Sequence, residues 1–191
     1  MTFGKNRVQY IDFYWQYYRF DKFDTYFYVN GKEVAQYVSR YAYSKIPEIE
    51  YFFEYTLDKR IIFIVYNKHS DFKQSNIGLV TGDEQQNIGG VTQIIDNKVF
   101  VFNQGDHQKL EKQLNAAVAE VMLNEMIFGS DIKDKVASST LLSLPDWYVK
   151  GLISFISDDW NFEIENRVKD AIMNDRFDKF NKLEGEEAIY A

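Results

Sequence analysis

Few side chains in this 191-residue chain are placed to do chemistry. Cysteine is absent, which excludes thiolate metal sites, cysteine nucleophiles and disulfides. The two histidines, His69 and His107, lie 38 positions apart in polar, loop-like stretches, so both read as loop residues rather than zinc ligands. Asp158 and Asp159 are neighbouring carboxylates that a cation could bridge, but their place after an apolar run reads as the exposed last turn of a helix. Glu120 is different. It stands in "LNAAVAEVMLNEMIFG", Leu114 to Gly129. At about 100° per residue, Leu110, Ala117, Val118 and Val121 cluster around Leu114. Ala116, Ala119, Leu123 and Ile127 gather on the opposite side, with Glu120 among them. A helix apolar on two opposed sides is sandwiched between layers. A carboxylate buried there needs a partner, or it takes up a proton and goes neutral.

The elements that must hold this helix are legible from pattern. Between Tyr10 and Tyr28, "YIDFYWQYYRFDKFDTYFY" carries eleven aromatics in nineteen residues, which favours extended chain. "TYFYV", Thr25 to Val29, is the clearest strand, closed by the turn Asn30-Gly31. Val34, Tyr37, Val38, Tyr41 and Ala42 keep helical spacing, and Pro47 predicts a break, with a new helix through "PEIEYFFEYTL". "RIIFIVY", Arg60 to Tyr66, reads as a buried strand, and the following polar stretch as mostly loop. "VTQII" and "KVFVF" flank Asp96-Asn97 as a hairpin. From Asp106 the pattern turns helical, stopping at Gly129. Leu144 to about Ser157 forms another helix with Pro145 in its first turn, and Phe162, Ile164, Val168 and Ile172 mark an amphipathic one. "EGEEAIYA" reads as the start of a further helix that the chain does not complete. The fold class is α+β: a small mixed sheet in the N-terminal half packed on a helical C-terminal half.

Composition narrows the function. Hydrophobic residues at 46% supply a core, and charged residues at 27% are ordinary for a globular domain. A formal net charge of -7 argues against general affinity for nucleic acid or anionic membrane. No apolar run reaches the roughly 18 residues of a membrane span, and the first residues show no secretory leader. The aromatic stretch from Tyr10 to Tyr28 offers flat faces on which sugars stack, although packing the sheet accounts for it better.

The long helix followed by "LPDWYVKGLISF", Leu144 to Phe155, resembles the gluzincin metallopeptidases of the peptidase MA type. In those enzymes a helix carries HExxH, two histidines binding zinc around a water-activating glutamate, and a later Leu-Pro-x-Trp-x-x-Glu-Gly helix gives the third ligand. Leu144, Pro145, Trp147 and Gly151 match that second motif, and Lys150 occupies the glutamate position. Aligned by its apolar pattern, the first motif puts Ala116 and Glu120 at the histidines and Ala117 at the catalytic glutamate. The resemblance therefore implies a zincin-like architecture lacking its metal site: a pseudopeptidase with no catalytic residues, no metal and no other cofactor. It leaves two readings of Glu120 and Lys150, an ion pair filling the vacated site or two side chains reaching separately to solvent.

A more specific likeness spans nearly the whole chain. "FGKNRVQYIDFYW", "SDFKQSNIG", "GGVTQII" and "LPDWYVKGLISFISDDWN" resemble the N-terminal domain of TolB-like translocation proteins of the Bacteroidetes. That resemblance implies one gluzincin-like domain over residues 1–191, cut short at its C-terminus, with a sheet subdomain to about 104 and a helical one from about 105. It implies a periplasmic or envelope location after a leader, and a β-propeller following. Active gluzincins bind extended substrate along an edge strand, which here falls on Val91, Thr92, Gln93, Ile94 and Ile95. The expected role is a scaffold or a module binding a protein or peptide of the cell envelope. The alternatives are a metallopeptidase with unconventional zinc ligands and a glycan-binding module.

Overall fold

The computed structural model describes residues 12–75, 93–129 and 144–175. Strands β1 (Gln16–Arg19) and β2 (Phe23–Phe27) form an antiparallel hairpin out of the aromatic stretch. Helix α1 (Lys32–Phe53) then crosses to β3 (Ile61–Tyr66), which runs parallel to β2, as a strand–helix–strand crossover requires. A single helical turn, α2 (His69–Phe72), follows. Strands β4 (Gln93–Ile95) and β5 (Lys98–Phe102) make the hairpin expected around Asp96-Asn97, and β5 pairs parallel with β3. The sheet order is β1-β2-β3-β5-β4: three parallel strands flanked by an antiparallel one on each side. Helices α3 (His107–Phe128), α4 (Asp146–Ser157) and α5 (Phe162–Met173) complete the described chain, which is α+β with a mixed sheet. None of the described helices is long and apolar enough to cross a membrane.

Pro47 does not break the first helix: α1 runs unbroken through it. An interior proline removes one backbone hydrogen bond and costs about 3 kcal/mol. Here Pro47 and Tyr43, whose carbonyl loses its donor, both lie on the exposed side, within reach of water. The buried stripe Ala35, Val38, Ala42, Ile46 and Ile49 passes the proline without interruption, and its burial holds the helix together. Before α1, Asn30 takes the left-handed conformation (φ 66°). A Cβ on Gly31 would stand 2.4 Å from the Asn67 side chain, so the turn leaves no room for a larger residue there.

The two faces of the sheet differ in chemistry. Phe23, Ile61, Phe63, Val65, Val99 and Val101 pack with α1 and α3 into the main core. The hydroxyls of Ser39 and Thr25 bond at 3.0 Å where α1 crosses β2. On the opposite face Tyr66, Phe100 and Phe102 join Tyr28 and Phe72 in a second, aromatic cluster. There the Tyr28 phenol donates to Asp71 at 2.6 Å and accepts from the Asn67 N–H at 2.9 Å. Burial, then the bond to Asp71, pushes the phenol well above the usual tyrosine range. Phe13 and Trp15 pack edge-on against Tyr28 and Tyr66, so part of the aromatic stretch serves packing, while Tyr14 and Tyr17 stay exposed.

Candidate functional site

Helix α3 begins at Asp106, whose side chain accepts from the N–H groups of Gln108 (2.9 Å) and Lys109 (3.4 Å) and so caps the first turn. It ends at Gly129 in the left-handed region (φ 74°), as the sequence predicts. Between these stops α3 is buried on almost every side, packed against α1, α4 and β5. Its sectors follow from helical phase and contacts. Gln113 reaches the carbonyl of Phe102 on β5 (3.4 Å), so that sector faces the sheet. Glu111 accepts from the Tyr37 hydroxyl of α1, and Lys112 pairs with Asp158 just beyond α4.

The positions that the resemblance aligns with metal ligands sit on this scaffold. Ala116 and Ala117 are wholly buried. Ala116 lies one turn beyond Lys112 and shares its α4-facing sector. The Lys112–Asp158 bridge sets the second turn of α3 beside the end of α4. Glu120 lies eight residues along α3 from it and Lys150 eight residues back along α4. They do not pair. Glu120 is half-buried, Lys150 is exposed, and the ion pairs among the described residues do not join them.

The buried carboxylate that matters to packing is Glu125, which the sequence reading passed over. It is 7% exposed and accepts from the Tyr55 hydroxyl (3.0 Å) and the Asp58 N–H (2.7 Å). Glu50 of α1 does the same from the other side, accepting from the Leu57 N–H (3.1 Å) and pairing with Lys22. Two buried glutamates on two helices thus pin the link between α1 and β3. Burial, then the bond to Glu125, pushes the Tyr55 phenol up to about 12. A signal was present: Glu125 falls in phase with Leu114, Val118 and Val121, whereas Glu120 falls toward the rim of the opposite side.

Strand β4 stands at one edge of the described sheet, antiparallel to β5. Asp96 opens its two-residue turn with positive φ (55°). Ile95 and Lys98 flank that turn as the first bonding pair, which directs the backbone N–H and C=O of Ile94 to the open side. Ile94 also packs its side chain against the main core. Val91 and Thr92, the first two residues of the expected edge strand, lie outside the described residues, as does "EGEEAIYA".

The histidines are aromatic neighbours. His69 stacks on Phe102 (centroids 4.6 Å apart), and burial, then Lys73, holds its pKa below the ordinary value. His107 lies flat on Tyr37 at 4.1 Å. Among the described residues no three His, Asp or Glu side chains gather to hold a metal ion. Comparison of the chain with protein-family models, with curated proteins and with solved structures finds no match.

Proposed function

We propose that this chain is a non-catalytic, gluzincin-like domain that works as a scaffold or peptide-binding module in the bacterial cell envelope, beside a β-propeller in the full-length protein. The observation that carries the reading is that α3, which bears Ala116 and Glu120, packs against α4, which bears Lys150. Two sequence motifs, aligned without reference to each other, predict that these positions converge. At the same place a gluzincin would need two imidazoles, a carboxylate base and a carboxylate ligand. Here two of the positions are buried methyl groups and one is an exposed ammonium. The order of elements supports the reading too: a mixed sheet with an antiparallel edge, then the long helix, then the Leu-Pro-x-Trp helix.

Peptide binding falls to β4. An extended segment laid along it would bond to the outward N–H and C=O of Ile94 and need no chemistry. The test has two parts. Elemental analysis and a pool of quenched fluorogenic peptides examine the purified protein after incubation with zinc; stoichiometric zinc together with turnover overturns the non-catalytic assignment. An array of unstructured peptides is then probed with the protein and with Ile94→Pro, which removes the outward N–H from the edge strand. Binding that is lost in the variant supports the edge-strand role. Binding that persists unchanged refutes it.

A further inference from the structure

Beyond the peptide-binding reading, and independent of it, α4 and the segment leading into α5 enclose a cleft of about 370 Å³. That volume suits a small molecule. Trp147, Tyr148 and Phe155 of α4 and Trp160 after it form aromatic walls, and Asp158 and Asp159 close one side. Phe155 and Trp160 expose 72% and 65% of their surface. The described lining contains two carboxylates and no basic side chain. Asp158 is already paired with Lys112, so Asp159 supplies the charge. Lys45 of α1, which senses Asp159, is itself bonded to Glu48 at 2.5 Å.

Two sources of negative potential coincide here. Ring faces carry the negative lobe of the aromatic quadrupole, and a carboxylate adds a full charge. An anion would meet repulsion from both. A neutral apolar guest would strip water from Asp159 and offer nothing in return. A soft, poorly hydrated cation satisfies both, because it needs no hydrogen-bond acceptors and can spread its charge over several rings. We propose that this cleft binds a small alkylated ammonium ion, seated against Phe155 and Trp160 with Asp159 as its counter-charge.

The probe is choline, titrated at low salt and followed by NMR of the tryptophan indole signals, alongside its neutral carbon isostere and a neutral disaccharide. Choline should give saturable shifts at millimolar concentration, and the isostere should bind about fivefold more weakly or worse, since charge is the only difference. Trp160→Ala and Asp159→Asn alter exposed residues and should each weaken choline by about fivefold, with salt dependence lost in the second. Equal binding of choline and its isostere, tighter binding of the disaccharide, or no saturable shift with choline each overturns the proposal. The isostere comparison uses the unaltered protein, so it decides even where a variant folds poorly.

Discussion

The two sides of α3 are held by different physics. Toward α1 and its following link the helix is stitched by directional bonds: Tyr37 to Glu111, Tyr55 to Glu125, and the Asp58 N–H to Glu125. Toward α4 the Lys112–Asp158 salt bridge gives way to the small side chains Ala116 and Ala119, both fully buried. Polar bonds fix register, because each has one partner in one place. Small residues fix distance, because only they allow two helices to approach closely. Ala116, one of the positions in the proposed gluzincin alignment, lies on the second side.

That contrast can be broken from either side, and the expected effects fall in a clear order. Leu114→Ala, in the core between the stitched side and the sheet, should cost about 2–5 kcal/mol in chemical denaturation, from lost burial plus a cavity. Ala116→Leu should cost about 1–3 kcal/mol by overpacking; a neutral or stabilising result would mean the α3–α4 contact is loose. Glu125→Ala should cost about 1–3 kcal/mol, because it strands the Asp58 N–H and the Tyr55 hydroxyl. Glu125→Gln, which keeps an acceptor, should recover much of that.

Alkaline pH tests the stitched side, alongside the raised phenols of Tyr28 and Tyr66 in the second aromatic cluster. Tyr37, raised by burial and then by Glu111, and Tyr55 both titrate at about 12 in the folded chain, above the ordinary 10. A raised folded pKa means their contribution is complete below pH 10 and is lost as pH climbs through 12. Thermal melts should therefore fall over that window, and a Tyr37→Phe, Tyr55→Phe double variant should flatten the fall. The smallest effect belongs to Lys112→Met: its bridge to Asp158 is about one-third exposed on both sides, so the loss should stay within about 1 kcal/mol and shrink with salt.

Much of the fold was legible because period and punctuation are local. The Leu110–Val121 stripe, the turn to helical period from Asp106 and the Gly129 stop gave α3 its bounds. The branched run at Ile61 gave a buried strand, and Asp96-Asn97 gave a hairpin. Pro47 misled, because a local rule about lost hydrogen bonds was outweighed by an apolar face that continues past it. Glu120 was singled out from its angle alone, but angle does not say how deeply a neighbouring helix covers a position.

By itself the sequence determined which segments become helix or strand, that α3 must be enclosed on two sides, and that cysteine chemistry and multi-histidine sites are closed to this chain. Only the tertiary structure decided how deeply each carboxylate is buried, with Glu50 and Glu125 fully covered and Glu120 half-covered, and that Lys150 turns outward. The reason is physical. Periodicity fixes the direction in which a side chain leaves its own helix, while the partner that meets it comes from a segment dozens of residues away: Asp58 meets Glu125, and Lys22 meets Glu50.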